Sequence, residues 1–408
     1  MSQRTIATRL RRASAIAAAV SLGCGAGGAG AADWSFDPRI TLNAETDDNN
    51  RLTSVPGQEI EVAGAEVDAQ FTLQAETPRS TFRLVPRIRG TFYPDDGDEE
   101  TDNQFLRAAY EYRGERSELI FDADYSRRET LGRYLPDIID DNDNLGEPGE
   151  GEDLGNSPAL NRQERFAVTP GVSFELTERT TLELGVGYLD VTFDEQVADD
   201  REDYNNMSAD AGLRFDLSPT KSLTVRARAA QYEPDDDVST DSQALELEWS
   251  NRVSETSRVF VRGGSNRVEE IDALGNSGWN TGFSGGAGVQ WSFEVTQVFF
   301  DVDRDLDPNA SGRLVERDQL RFRLSRRLSP VTTLRLVARG VRDGKTNNLD
   351  VFQEREYVAA SVGFEWRMTR QFALGGGYEY VWRQIEDQPD DAVSNRLFLG
   401  ITWEPHRL

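Results

Sequence analysis

Side chains able to move a proton or attack a bond are scarce in this sequence. Its 408 residues include one histidine, His406, and one cysteine, Cys24. Hydrolases that work by nucleophilic or general-base catalysis set a histidine beside a serine or carboxylates. His406 instead stands in the terminal run Glu404-Pro405-His406-Arg407-Leu408, where a solvated side chain is expected. Glu246 and Glu248 offer the paired carboxylates of a glycoside hydrolase. They lie two apart, on one face of an alternating segment, between segments carrying Arg226, Arg228, Arg258 and Arg262. Cross-strand ion pairs are therefore their expected use. The inventory predicts a protein that is not an enzyme and needs no cofactor.

Two further patterns suggest ligands and weaken on inspection. Asp141, Asp143, Gly146 and Glu152 occupy positions one, three, six and twelve of an EF-hand-like loop. Position five is Leu145, which offers no side-chain oxygen, and no helical periodicity flanks the loop. A solvated acidic loop is the expectation, with loose divalent cations at such loops left open. Gly285-Gly286-Ala287-Gly288 and Gly375-Gly376-Gly377 lack the lysine and the strand-to-helix context of a phosphate loop. They predict bending or close approach of neighbouring strands.

The elements that carry these residues are strands. Segments of about ten residues alternate apolar with polar or small side chains. Leu182, Leu184, Val186 and Tyr188 oppose Glu183, Gly185 and Gly187, and Phe283, Ala287, Val289 and Trp291 oppose Ser284, Gly286 and Gln290. A helix would scatter those sets around its circumference. Roughly eighteen such segments follow, the first from Arg39 to Thr46, with Val298 to Asp303 a weak one. Very short connections, such as Thr77-Pro78-Arg79-Ser80 and Ser218-Pro219-Thr220-Lys221, alternate with long acidic ones, such as Asp95 to Asp102 and Arg128 to Gln163. Alternate short periplasmic turns and long outer loops are the mark of an outer-membrane barrel rather than a soluble sandwich. Aromatics such as Phe174, Trp291, Phe92, Tyr125, Tyr188 and Tyr232 are expected on the apolar face near its two ends, as interfacial girdles.

Compartment and charge agree. Arg4, Arg9, Arg11 and Arg12 precede the apolar run Ala13 to Leu22, and Ala29-Gly30-Ala31 fits signal-peptide cleavage. Residues 1–31 are thus expected to be removed, leaving 32–408 as one barrel domain. Cys24 sits as Ser-Leu-Gly-Cys, one place out of register for a lipoprotein signal, and leaves with the peptide. Cleavage takes the formal net charge from −27 to −31, which repels nucleic acid. A mean hydropathy of −0.60 does not conflict, because only alternate residues of a barrel strand face lipid.

The first strand running into Thr46-Asp47-Asp48-Asn49-Asn50, and hairpins of the form Leu217-Ser218-Pro219-Thr220-Lys221-Ser222-Leu223, resemble Gram-negative outer-membrane barrel proteins. More narrowly, they resemble the β-barrel porins associated with exopolysaccharide or exosortase systems. The resemblance spans nearly the whole mature chain. It implies an all-β, transmembrane, antiparallel up-and-down barrel of about 18 strands (16–18) in the cell outer membrane. Outer-membrane lipid, lipopolysaccharide and the barrel assembly machinery are the implied partners. Where many such proteins end in an aromatic residue, here Leu397, Leu399, Ile401 and Trp403 are followed by a five-residue tail. Two functions are expected: a porin-like passive channel for small polar solutes, or a scaffold for an exopolysaccharide or surface-protein export system.

Within a barrel, one wall becomes basic. Leu320, Phe322 and Leu324 alternate with Arg321, Arg323 and Arg327, and Leu334, Leu336 and Ala338 alternate with Arg335 and Arg339. These five arginines form an inward ladder without acids in either segment, a costly arrangement unless an anionic surface faces it. The third outer loop carries Asp137, Asp140, Asp141, Asp143, Glu147, Glu150, Glu152 and Asp153 and starts nine strands away. Part of that loop is expected inside the mouth, facing the ladder across a constriction, an arrangement similar to that of general diffusion porins.

Overall fold

The fold is seen in a computed structural model, which describes residues 32–94, 99–129, 162–194, 202–235, 239–271, 277–308, 314–344, 354–386, 388 and 390–405. Among these, only strands are regular. They are β1 (Asp33–Asp47), β2 (Val62–Glu76), β3 (Ser80–Phe92), β4 (Asp102–Arg113), β5 (Ser117–Glu129), β6 (Arg162–Thr177), β7 (Thr180–Phe193), β8 (Tyr204–Ser218) and β9 (Lys221–Pro234). The second half comprises β10 (Ser239–Ser254), β11 (Ser257–Ile271), β12 (Ser277–Ser292), β13 (Thr296–Pro308), β14 (Leu314–Ser329), β15 (Thr332–Gly344), β16 (Arg355–Arg367), β17 (Phe372–Ile385) and β18 (Ala392–Trp403). Each pairs antiparallel with its neighbours in sequence, and β1 pairs with β18, so the sheet closes into one 18-stranded ring.

Alternation sets the two faces. Leu184, Val186, Leu245, Leu247, Phe283, Leu397, Leu399 and Ile401 are exposed on the outside, while their sequence neighbours turn inward. The short turns owe their likeness to a local bond. The hydroxyls of Thr77, Thr177, Ser218, Ser254, Ser329 and Thr369 accept from the N–H two residues on, at 3.1–3.3 Å, which closes the chain in place of a ladder bond. A second bond repeats around this rim. The third or last residue of each short turn accepts a backbone N–H from the end of the next descending strand, from Arg113 onto Arg79 through to Glu404 onto Gln371, at 2.7–2.9 Å. The eight turns are thereby chained to one another.

Closure depends on a close approach at the last seam. β1 meets β18 from Ile40 opposite Trp403 to Asp47 opposite Arg396. Opposite Asn43 stands Gly400, where an added Cβ would lie 1.8 Å from Asn43 Oδ1 and 2.7 Å from the Leu42 carbonyl. Only glycine fits there.

Three expectations are corrected. The first strand begins at Asp33, not Arg39, and its added turn of chain pairs with β2 and stacks Phe36 on Phe71 at 6.1 Å. The weak segment from Val298 to Asp303 is the middle of a full strand, β13; its inward face carries acids, which diluted the apolar signal. Tyr232 is not an outer girdle residue. It shares the inward face of Arg226 and Arg228, is buried, and packs on Tyr204 with ring centroids 5.2 Å apart. Strict alternation from Val225 already places it there.

Replacing Gly400 with valine is expected to destabilise the barrel by about 1–3 kcal/mol through overpacking at the seam. Gly171→Ala, whose Cβ has ordinary room, serves as control. Urea unfolding of the detergent-refolded protein checks this, and equal midpoints would remove the seam argument.

Candidate functional site: the charged inner wall

The inward faces bring together arginines and carboxylates from adjacent strands and from strands one place further round the ring. On β2 and β3, Arg87 donates to Asp68 at 2.9 Å and Arg89 reaches the same carboxylate at 3.2 Å. Arg226 on β9 donates to Glu183 on β7 at 2.8 Å, spanning β8. Glu246 and Glu248 pair with Arg262 and Arg258 across the β10–β11 seam, both at 3.8 Å, which is the ion-pair use expected of them.

Such pairing corrects the picture of a bare ladder. Arg321 donates to Asp301 at 2.9 and 2.6 Å and to Asp303 at 3.3 Å, both on β13. Arg335 donates to Glu365 on β16 at 3.0 Å. Arg323 and Arg339 do not stand free either. Arg327 is exposed at the short-turn rim. The acids come from the strands flanking the β14–β15 hairpin, so a reading confined to that hairpin could not find them. Asp301 and Asp303 had a signal, the alternation of β13, but it was a weak one. The Arg321 cluster continues sideways, because Arg262 reaches Asp303 at 3.4 Å over β12. It can do so because Gly286 lies between them: a Cβ there would be 3.0 Å from both Arg262 Nε and Asp303 Cβ.

Near the outer end of the closing seam, Arg396 on β18 is held by three carboxylates. It donates to Glu45 on β1 at 2.9 Å, and to Glu66 on β2 and Glu379 on β17 at 3.4 Å. Asn43 donates to Glu66 at 3.0 Å, and the Tyr93 hydroxyl donates to Glu45. Farther round the mouth, Arg317 and Arg355 both bind the buried Asp343, Arg317 at 2.7 Å. A buried charge left without its partner is strongly destabilising, so these clusters stand or fall as units.

Sequence reasoning also missed the segment that enters the mouth. After β1 the chain turns inward, and Leu52 becomes fully buried among Val341, Tyr357, Ala359, Val381 and Ala392, all on inward faces of β15 to β18. Leu52 adopts φ 50°, the left-handed region. Arg383 donates to its carbonyl at 2.7 Å, and Asn49 donates to the Val393 carbonyl at 2.9 Å. Glu99, within the acidic connection from Asp95 to Asp102, is buried and accepts from Asn50 at 2.9 Å and from Arg51 at 2.7 Å. A single leucine within Asp47-Asp48-Asn49-Asn50-Arg51-Leu52-Thr53 has no periodicity to betray it. The first outer loop is therefore an inward-folded loop. The third, with Asp137, Asp140, Asp141, Asp143, Glu147, Glu150, Glu152 and Asp153, lies outside the described residues, as do His406, Cys24 and residues 1–31.

No family model and no curated protein matches the sequence. Among solved structures, the chain is similar to OccK2 (OpdF) of Pseudomonas aeruginosa in complex with glucuronate, with 11% identity, 92% of this chain and 99% of that one covered, and a TM-score of 0.48. It is also similar to a BenF-like porin from Pseudomonas fluorescens Pf-5, at 9% identity, 91% and 99% coverage and a TM-score of 0.47. A third is Acinetobacter baumannii OccAB3, at 11% identity, 91% and 99% coverage and a TM-score of 0.46.

Leu52→Asp should release the inserted segment, because a carboxylate cannot occupy its apolar contact set without a partner. Trypsin cleavage at Arg51 is then expected to quicken, while the volume-conserving Leu52→Met leaves it slow. Unchanged cleavage in Leu52→Asp would mean that Leu52 does not hold the segment in place.

Proposed function

We propose that this chain is an outer-membrane, porin-like channel that lets small polar solutes cross passively through its lumen. One observation carries the reading: the ring is closed and its polarity is inverted relative to a soluble protein. Leu184, Leu245, Phe283 and Leu399 face outward, exposed, while Arg226, Arg262, Arg321 and Arg396 face inward among carboxylates. A ring that buries charge and exposes leucine is matched to lipid outside and water inside. Rings of sixteen to eighteen strands are wider than their inward side chains can fill, which leaves an aqueous path. The cleavable segment 1–31 accounts for export, and the loops, rather than the lumen wall, carry most of the negative charge.

Purified protein in a planar bilayer should conduct in discrete steps. Arg321→Glu and Arg323→Glu should move the reversal potential in a salt gradient toward cation selectivity, since each reverses a charge on the lumen wall, that of Arg321 beside Asp301 and Asp303. Membranes that stay closed would favour a scaffold for exopolysaccharide or surface-protein export instead. Conduction with unchanged selectivity would remove the arginine ladder from the pore.

The membrane face can be tested separately. Leu184→Arg or Val289→Arg should weaken folding into lipid by about 2–4 kcal/mol near the midplane, whereas Glu183→Gln and Gln290→Ala should cost much less. Folding yield into vesicles measures it, and equal costs on both faces would overturn the orientation.

A further inference from the structure

The wall has one seam that is not zipped to the top. β12 and β13 pair from Ser292 opposite Gln297 up to Gly285 opposite Arg304. The strands continue beyond that point, β12 to Ser277 and β13 to Pro308, yet the positions that would extend the ladder, from Ser284 opposite Asp305 to Gly282 opposite Asp307, are not paired. β13 meanwhile keeps its pairing with β14 up to Leu314.

Two contacts show where the β13–β14 pair goes. Asp305 on β13 lies 3.7 Å from Arg228 on β9, four places round the ring, which the curved wall alone would not allow. Glu316, on the outward face of β14, has its Oε1 2.9 Å from where an inward Cβ on Gly282 of β12 would stand. An outward side chain of β14 meeting the inward face of β12 means that the upper part of β13–β14 has moved into the lumen and passes behind β12. The seam is a lap joint, and β12 has an open edge.

A groove of about 590 Å³ lies on the outside of this joint. Its apolar walls are Phe283, Val302, Leu320, Val358 and Trp382, and Ala287 and Gly340 leave its floor low. Along its upper end, outward side chains alternate in charge: Arg304 donates to Asp318 at 2.5 and 2.6 Å, and Arg342 lies 3.2 Å from Glu354 and 3.8 Å from Glu356. Gly285 is seven residues above the end of β12, which at barrel tilt is about 18 Å above the short turns, within a lipid-facing band about 25 Å tall. The joint therefore opens at the depth of outer-leaflet chains, where the apolar walls of the groove meet hydrocarbon and the charges at its upper end meet head groups.

We propose that this groove is a binding site for a membrane lipid, with one hydrocarbon chain lying between Phe283 and Leu320 along the open seam and the polar head at the alternating charges of Arg304, Asp318, Arg342 and Glu356. The chain fills the hollow that the inward shift of β13–β14 leaves on the outer face, between Phe283 on β12 and Leu320 on β14. The inference rests on the outward face meeting lipid and does not require that the lumen conduct.

The test uses the full mature chain folded into phosphatidylethanolamine–phosphatidylglycerol vesicles containing a phosphatidylethanolamine tracer with a diazirine in its acyl chain. After photolysis, adducts on Phe283 to Ala287, Val302 and Leu320 should exceed those on belt positions such as Val186 and Leu247 several-fold. Gly340→Phe fills the groove from a position where a Cβ meets only Leu320, at 3.8 Å, and should abolish the excess. Val186→Phe, on the far side of the belt, should leave it intact. Uniform labelling around the belt, an excess that survives Gly340→Phe, or covalent links between two copies through this groove in place of lipid adducts would each overturn the proposal. Equal folding of both variants is confirmed by their heat-modifiable migration, and if Gly340→Phe fails to fold, Gly340→Leu takes its place with the same expectation.

Discussion

Everything in this structure depends on the sheet closing on itself. In lipid an open strand edge leaves a row of amide and carbonyl groups without water to bind, so the last strand must find the first. Here β18 meets β1, and the even strand number makes that meeting antiparallel, like every other in the ring. The requirement reaches into single residues: Gly400 has no side chain because Asn43 and the Leu42 carbonyl occupy its place. It also explains why the charged cluster around Arg396 lies where it does. Glu45, Glu66 and Glu379 come from β1, β2 and β17, so one guanidinium ties together four strands at the point where the ring closes.

Inverted polarity gives the inner wall a problem of its own, since many charges must share a confined lumen. The chain meets it almost entirely with arginine; Lys221 and Lys345 are its only lysines. A guanidinium presents a planar fork that engages a carboxylate at two points, as Arg321 does with Asp301, and still reaches a second acid on the next position. An ammonium is a compact point charge without that planar fork. The result, among the described residues, is a lattice in which arginines and acids alternate across neighbouring strands, so that the inner wall carries many paired charges rather than a bare basic ladder.

Among the described residues, two places in particular depart from the repeat of the ring. At the mouth, a non-repeating segment carries Leu52 into an apolar site on β15 to β18, with Arg383 capping its carbonyl. At β12, glycines and serines on the inward face leave room for Arg262 and Asp303 to meet over the strand, and the same lack of bulk lets β13–β14 slip behind its upper part. The short-turn rim shows no such freedom, because hydroxyl bonds within the turns and backbone bonds between them hold its eight turns in series.

The sequence by itself determined the barrel. A period of two in side-chain polarity, alternating short and long connections and an even strand count leave little choice of architecture, because each is a local property that the closed ring merely repeats. It also assigned Glu246 and Glu248 to ion pairs, since partners on adjacent hairpin strands are close in sequence as well as in space. What it could not supply was a contact with a strand whose period is masked or that is distant along the chain. The acids beside Arg321 come from a strand whose own acids masked its period, the carboxylates around Arg396 are gathered from both ends of the sequence, and Leu52 reaches its site by an aperiodic path. Those pairings are fixed by register and by the curvature of the closed sheet, which decide which inward side chains come within reach of one another, and they exist only once the ring has formed.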